Sequence, residues 1–213
     1  MARVNSPWKF RGTISGITFD KNGIARKAPD ARKITAARTL ENNNEFKTAA
    51  QTGKAIRQAI SALEVKDRYI TARMVSTVRQ GMNLDSVNRR GSRVLSRTEA
   101  IAVLPQFELN NNTRLQTVMP SIIKTSATNI EIDNLLGNPI TPADITLPEG
   151  ATHVEIRALT ALINPTTNTQ GTIKIGTSGI QTGTTALAIT PALPVTAATD
   201  PEILIVGIAI KFY

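Results

Sequence analysis

The hydrophobic period of this chain changes once, close to Pro105. Before that point, in residues 38–64, apolar side chains recur at spacings of three and four, which is the period of an amphipathic helix. After it, segments such as "HVEIRALTALIN" and "EILIVGIAIKFY" alternate or are rich in β-branched residues, which favours strands. Because the two periods occupy separate halves, the sequence predicts an α+β fold in which helices and strands are segregated.

The first half predicts helices over residues 38–64 and 67–80, with Asp67 as a helix N-cap and Gly81 as a stop. The short "VK" connection between them favours an antiparallel helical hairpin. A third, shorter helix is predicted from residue 92 to residue 104. The apolar stripes consist of Phe46, Ala50, Gly53, Ile56, Ile60 and Leu63 in the first helix and of Ile70, Met74 and Val78 in the second.

The second half predicts an antiparallel β-sandwich, because short strands recur about every ten residues with Asn, Pro, Gly and Thr clusters between them. The nearly continuous apolar run "ILIVGIAIKF" predicts a central strand. The predicted organisation is therefore an N-terminal arm and β-hairpin (1–37), a basic helical region (38–105) and a β-sandwich domain (106–213).

The N-terminal segment "RGTISGITFDKNGIARKAP" predicts a hairpin, since an Asn-Gly pair supplies the positive φ angles of a tight turn. An isolated two-stranded hairpin is marginally stable in water. We therefore expect it to lie on its own helices or on another subunit, as a docking element. The residues predicted to form this docking hairpin are Phe10, Ile14, Ile17, Phe19, Asn22, Gly23 and Ile24.

Charge is unevenly distributed along the chain. The net charge is +9, but residues 1–100 carry 20 Lys and Arg against 8 Asp and Glu, whereas residues 101–213 carry 5 against 8. The halves therefore differ in sign, at +12 and −3. The basic half could face nucleic acid, an acidic partner, or the acidic half of a neighbouring copy.

The segment "NRRGSRVLSR" is the densest polar cluster, with Arg89, Arg90, Arg93 and Arg97. If a helix begins near Ser92, Arg93 and Arg97 share one face and could contact phosphate or an acidic partner. A solvated face, or pairing with Glu99 and with acids of a neighbour, is the alternative. The cluster contains no stacking aromatic residue and no DNA-binding motif, which weakens the nucleic-acid hypothesis.

The sequence predicts no enzyme, no cofactor, no metal site and no small-molecule substrate. There is no Cys, and the single His, His153, begins a predicted strand where a surface or structural role is expected. A divalent cation site built from Asp133, Asp144 or Glu149 stays open, although no calcium-loop spacing occurs. "GTSGIQTG" lacks the Lys-Ser/Thr ending of a phosphate loop and is predicted to be a β-turn.

No apolar run is long enough to span a bilayer, and the start "MARVNSPWKFRG" has no signal-peptide core. A glycan-binding role is disfavoured because residues 108–211 contain no Trp, Tyr or Phe on which a sugar ring could stack.

A series of segments also carries a resemblance. "ITFDKNG", "EFKTAAQTGKAIRQAISAL", "DRYITARM" and "NRRGSR" are followed by "FELNNNTRL", "PEGATHVEIRAL" and "LIVGIAIKFY". The chain resembles proteins encoded in Bacteroidota genomes and their phages. Hairpins of the form G-x-x-x-G-x-x-F followed by NG occur in proteins encoded among phage structural genes. The resemblance implies a phage or phage-like structural context and assigns no catalytic residue.

We therefore expect a non-enzymatic structural or assembly subunit of a virion or phage-like particle, made in the bacterial cytoplasm. Such a subunit would dock through its hairpin, either in a homo-oligomer or on other particle subunits. The alternative is a nucleic-acid-binding or DNA-packaging accessory protein that uses the basic half. A glycan-binding decoration ranks third.

Overall fold

The computed structural model describes residues 2–3, 12–20, 22, 24–28, 36–125, 129–182, 193–194 and 198–213. The chain divides into two compact units, an N-terminal unit (residues 1–40) and a body (residues 41–213). Helices and antiparallel sheets both occur, which confirms the α+β class.

The N-terminal unit contains two consecutive hairpins rather than the single hairpin predicted. Its sheet has the order β1-β4-β3-β2, and every neighbouring pair is antiparallel. The sequence analysis recognised the second turn, at Asn22, and missed the first, at Ser15. The strands are β1 (Ala2–Arg3), β2 (Gly12–Ile14), β3 (Ile17–Phe19) and β4 (Ile24–Lys27).

The first two helices lie close to their predicted positions, and the third is shorter than predicted. It begins at Arg97 instead of Ser92, so Arg93 precedes the helix and shares no helical face with Arg97. Phe46 was expected in the buried stripe but is 54% exposed. The helices are α1 (Ala37–Ile60), α2 (Ile70–Leu84), α3 (Arg97–Val103) and α4 (Leu115–Val118), with 3₁₀ turns at Ser61–Leu63, Leu104–Gln106 and Pro142–Asp144.

Gly81 does not end α2 as predicted, because the helix continues to Leu84. A Cβ atom at Gly81 would lie 2.4 Å from Leu95 Cδ1 and 3.1 Å from Val103 Cγ2. The glycine is therefore required for the close approach of α3 and the segment before it, not for helix termination.

The strands of the body form two sheets. One is three-stranded, in the order β10-β6-β5, and the other has the order β11-β7-β8 with β9 also paired to β7. Among the described strands β7 is therefore central and β11 lies at the end of the order, which contradicts the predicted central position of β11. The strands are β5 (Ser121–Thr125), β6 (Asn129–Asn134), β7 (His153–Asn164), β8 (Thr169–Thr177), β9 (Gln181–Thr182), β10 (Leu193–Pro194) and β11 (Ile203–Phe212).

The apolar run of β11 is continuous because both faces of the strand are covered. Its odd-numbered residues, such as Ile203 and Ile205, pack in a core with the helices, and its even-numbered residues, such as Ile208, pack in a second core. The central strand β7 divides in the same way. Strands buried on both faces lose the alternation of a half-exposed sheet.

Helices and strands share the first core. It joins Ile56, Leu63 and Met74 to Leu159 and Ile203. The second core joins Ile132 of β6 to residues of β7 and β11. The predicted domain boundary at Pro105 therefore divides one packed core, which argues against independent folding of residues 106–213. That boundary, like the sandwich arrangement of the two sheets, stays a prediction.

Candidate docking surface

The first turn of the N-terminal unit brings two large apolar side chains together. Ser15 and Gly16 have φ angles of 50° and 76°, as a two-residue hairpin turn requires. This turn sets Ile14 directly opposite Ile17, and their side chains are 58% and 44% exposed. The tip of the hairpin thus presents an apolar pair to the outside of the chain.

The second turn is organised by Asp20. Its Oδ1 accepts hydrogen bonds from the backbone N–H of Asn22 (2.8 Å) and of Ile24 (3.0 Å), and Arg26 Nη2 lies 3.7 Å from Oδ2. The hydrogen bond from Ile24 is the main reason that the pKa of Asp20 lies below its usual value. The sequence-predicted turn at Asn22 is therefore held by a side chain that the sequence analysis did not single out.

Five of the seven predicted docking residues lie in these two hairpins: Ile14, Ile17, Phe19, Asn22 and Ile24. Phe10 and Gly23 lie outside the described residues. We call the exposed pair Ile14 and Ile17, together with the outer edge of β2, the docking surface.

In the N-terminal unit, none of residues 12–20, 22, 24–28 and 36–40 is buried. Phe19 of β3 and Ile24 of β4 are half-buried, and all of β2 is exposed. Since burial of apolar surface is the main stabilising contribution in folding, the described residues of this sheet contribute little of it.

Three of the four predicted arginines lie in a loop, residues 85–96, that two buried carboxylates hold, whereas Arg97 is the first residue of α3. Asp85 accepts hydrogen bonds from the backbone N–H of Val87, Asn88 and Val94 at 2.9–3.1 Å, and from the Asn88 side chain at 2.8 Å. Burial opposes the charged form, but the hydrogen bonds from Asn88 and its neighbours outweigh it and lower the pKa of Asp85 to about 2. Glu45 of α1 accepts a hydrogen bond from Gly91 N at 2.9 Å.

Three of the four clustered arginines contact acceptors of the same chain. Arg90 Nη2 donates to Asn42 Oδ1 (2.7 Å), and Arg93 Nε lies 3.8 Å from Glu45 Oε1. Arg97 Nη2 donates to the carbonyl oxygen of Ala198 (3.1 Å). Arg89 is exposed, as are Arg90 and Arg97, but it alone of the four has no such partner among the residues that the structure describes.

Two of the three acids named for a cation site are engaged, and the third, Glu149, is exposed. Lys124 Nζ lies 2.6 Å from Asp133 Oδ2, while Asp144 Oδ2 accepts from the backbone and hydroxyl of Thr141 at 2.8 Å. Within the described ranges no three His, Cys, Asp or Glu side chains are grouped so as to hold a metal ion. His153 begins β7, with Nδ1 2.7 Å from Thr152 Oγ1.

A second polar network ties the last strand of the body to β7. Glu155 accepts hydrogen bonds from Arg157 Nε (2.9 Å), Thr177 Oγ1 (2.8 Å) and Tyr213 Oη (2.7 Å). The bond from Arg157, opposed by burial and supported by Tyr213 and Thr177, lowers the pKa of Glu155 to about 2. Glu64 joins the network through Arg157 and Lys211. Every carboxylate here is satisfied, as in a structural network.

An open groove of about 620 Å³ runs beside α2. Its lining includes Ser76, Thr77, Gln80, Asn111 and Arg73. The Arg73 guanidinium donates to the carbonyl oxygens of residues 108 and 109, pairs with Asp67 at 2.5 Å and stacks on Phe107. It is thus largely committed to its own chain, and the rest of the groove mixes neutral polar and apolar side chains with the charged Glu108 and Arg114.

A second exposed apolar surface lies at β5 and was missed by the sequence analysis. Ile122 and Ile123 of β5 are exposed, as are Leu135 and Leu136 in the turn after β6, with Leu136 at 85%. Asn134 Oδ1 shapes that turn by accepting from Leu136 N (3.0 Å) and Asn138 N (3.1 Å). The signal in the sequence was the pair of leucines between Asn134 and Gly137, where turn residues are usually polar.

The chain matches no protein-family model, no curated protein and no solved structure. None of the helices in the described ranges is long and apolar enough to cross a bilayer.

Proposed function

We propose that this protein is a non-enzymatic structural or assembly subunit of a virion or phage-like particle, and that it joins its partners through the docking surface. One observation carries the proposal. The described residues of the N-terminal unit include four strands, yet none of residues 12–20, 22, 24–28 and 36–40 is buried. Ile14 and Ile17 are exposed. A sheet with so little burial of its own is expected to gain it from a partner, as in strand-addition interfaces.

The body suits a structural role. Its strands β7 and β11 are covered on both faces, and its buried carboxylates are hydrogen-bonded. We propose that the two sheets of the body form the antiparallel sandwich expected from the sequence, because Ile132 of one sheet shares a core with Val154 and Ile156 of the other.

The nucleic-acid alternative retains less support. Three of the four clustered arginines contact acceptors of their own chain, so a phosphate would have to displace Asn42, Glu45 or Ala198. The exposed Arg89 and Arg90 are the groups that favour this alternative.

The test compares the purified full chain with a variant lacking residues 1–40. Sedimentation, light scattering and electron micrographs are recorded at low and high salt, alone and with the other proteins of the source particle, and absorbance at 260 nm is followed. We expect the full chain to assemble without nucleic acid and the truncated chain to stay folded and monomeric.

Equal assembly of the two chains would contradict the proposal. A matched variant changes Arg89, Arg90, Arg93 and Arg97 to Gln. If that variant loses co-purifying nucleic acid while the truncated chain assembles normally, the nucleic-acid role takes precedence. Binding to phosphate should then weaken steeply as salt is raised.

A further inference from the structure

We propose that the partner of the docking surface is a second copy of this chain, and that the N-terminal unit of one copy docks on the β5 edge of the next. By β5 edge we mean the outer side of β5 with the adjoining turn at Leu135 and Leu136. This inference rests on the proposed function, since it names the partner of the same surface.

The backbone of β5 is available for strand addition. In the order β10-β6-β5 it is the outermost strand, paired to β6 alone within the described residues. Gln116 marks its outer side, because its side-chain amide donates to Ser121 O and accepts from Ser121 N, both at 3.2 Å. Antiparallel strands alternate the direction of their backbone groups, so the N–H and C=O of Ile123 point to that same outer side.

The side chains of the β5 edge match those of the docking surface. Ile122, Ile123 and the two leucines are exposed and apolar, as are Ile14 and Ile17. The register places Asn134, which precedes the leucines, directly opposite Ser121, so the turn adjoins the start of β5. Among the described strands, both surfaces thus combine the outermost strand of a sheet with exposed aliphatic side chains, which is the composition of a strand-addition interface.

The two segments that carry these surfaces have net charges of opposite sign. Residues 1–40 carry nine Lys and Arg against two Asp, a net charge of +7. Residues 115–150, which include β5 and β6, carry one Lys against four Asp and Glu, a net charge of −3. The one lysine, Lys124, is paired with Asp133, whereas Glu131 and Glu149 are exposed. Such complementarity steers association and disfavours contact of like surfaces.

The contact would be heterologous, because the donor and acceptor are different surfaces of the chain. Repetition of a heterologous contact generates a closed ring or an open filament, and each copy retains one surface of each kind. A second copy also explains both exposed apolar surfaces at once, whereas an unrelated partner would leave the β5 edge uncovered.

The experiment uses two blocked forms of the full chain. The donor-blocked form carries Ile14→Asp and Ile17→Asp. The acceptor-blocked form carries Ile123→Pro and Leu136→Asp, because proline removes an N–H that points outward and so costs β5 no bond to β6. Its matched control carries Ile123→Val and Leu136→Met, which keep the N–H and the apolar character. A second acceptor variant, Leu136→Asp alone, guards against misfolding caused by the proline.

Sedimentation is measured over a range of concentrations at low salt. We expect each blocked form alone to be monomeric, with association weakened by roughly thirtyfold or more, as for loss of a hot-spot residue. An equal mixture should form a dimer and nothing larger, since the donor-blocked form still accepts and the acceptor-blocked form still donates. The control should assemble as the wild type does, and association should weaken at high salt.

Each of the other outcomes contradicts one part of the proposal. If the folded acceptor variants assemble like the wild type, or if the wild type is monomeric at every concentration, the second-copy inference is wrong while docking on another particle component stands. If the donor-blocked form assembles like the wild type, the docking surface itself is wrong, and the proposed function fails with it.

Discussion

The N-terminal unit and the body differ in where their stability comes from. The N-terminal unit contains a sheet of short strands with turns at Ser15-Gly16 and at Asn22, and none of its residues 12–20, 22, 24–28 and 36–40 is buried. The body has two cores, and side chains such as Ile56, Leu63 and Ile156 are at most 1% exposed. The difference teaches that one part of this chain encodes its own fold, while the other encodes local turn geometry and an exposed apolar surface.

The largest effect on stability is expected from dividing the chain. Residues 106–213 alone would lose Ile56, Leu63 and Met74, which pack against β7 and β11 in the full chain. Because a shared core cannot form from one half, we expect this fragment to show no cooperative thermal transition by circular dichroism. Residues 41–213 should melt at nearly the same temperature as the full chain.

A cooperative melt of residues 106–213 would contradict this expectation and restore the boundary at Pro105 that the sequence predicted. A large loss of melting temperature on removing residues 1–40 would instead show that the N-terminal unit contributes to the stability of the body.

Glycine substitutions sharpen the comparison at single positions. In Gly81→Ala the new Cβ would lie 2.4 Å from Leu95 Cδ1, and Leu95 is fully buried, so the core must shift. We expect overpacking to cost about 1–3 kcal/mol, against a helix-propensity gain of about 1 kcal/mol. Chemical denaturation should therefore show a net loss of stability.

Gly53→Ala is the matched control in α1, where the new Cβ would meet Val75 and Met74 at ordinary contact distances of 3.4–3.6 Å. We expect it to be neutral or stabilising, whereas Gly53→Leu should overpack and destabilise. If Gly81→Ala were as stable as Gly53→Ala, the tight packing inferred at Leu95 would be wrong.

The loop that carries the arginines should respond to pH through Asp85. Its pKa in the folded protein is about 2, below the ordinary value of 3.8. A lowered carboxyl pKa contributes stability that is present above pH 3.8 and is lost as the pH falls toward 2; here it corresponds to about 2 kcal/mol. We expect Asp85→Asn to be less stable than the wild type at neutral pH, with the difference shrinking below pH 4.

Urea denaturation of both chains from neutral pH down to about pH 2, the folded-state pKa, measures this difference. A gap between wild type and variant that stays constant through the acid range would show that the Asp85 carboxylate is not the titrating group.

The smallest effect is expected in the N-terminal unit. Ile14→Thr together with Ile17→Thr keeps β-branched residues in the strands and removes exposed apolar surface. Because neither side chain belongs to a core, the free energy of unfolding should change by less than about 0.5 kcal/mol. Assembly measured on the same samples should nevertheless be impaired, and a stability loss as large as that of Gly81→Ala would erase the distinction between the two units.

The spacing of apolar residues in the sequence predicted the helices and strands that bury a regular stripe or face. The stripes of α1 and α2 and the strand-rich second half follow directly from spacings of three, four and two. The position of a strand within its sheet was harder to predict. A strand covered by helices on one face and by a second core on the other is as apolar as a central strand. That ambiguity is why β11 was assigned the place that β7 holds.

The candidate site was partly predictable for the same reason. Asn22 and Gly23 announce a turn through their own conformational preferences, but Ser15 is in the left-handed region only because the two-residue turn requires it. The partners of the arginines could not be foreseen either. Glu45 and Gly91 are far apart in sequence, and only the packing of the loop on α1 brings them to 2.9 Å.

The pairing of β7 with β11 also sets an order of events in time. The two strands are separated by residues 165–202, and their shared core further requires α1, whose residues precede β7 by about a hundred positions. Contacts so distant in sequence must wait for slow loop closure, whereas hairpins joined by tight turns form within microseconds. We therefore expect the docking surface to take shape first and to be exposed during the interval in which the body is still collapsing. On the proposed contact, a nascent copy would meet a finished neighbour before its own fold is complete, and assembly would overlap with folding.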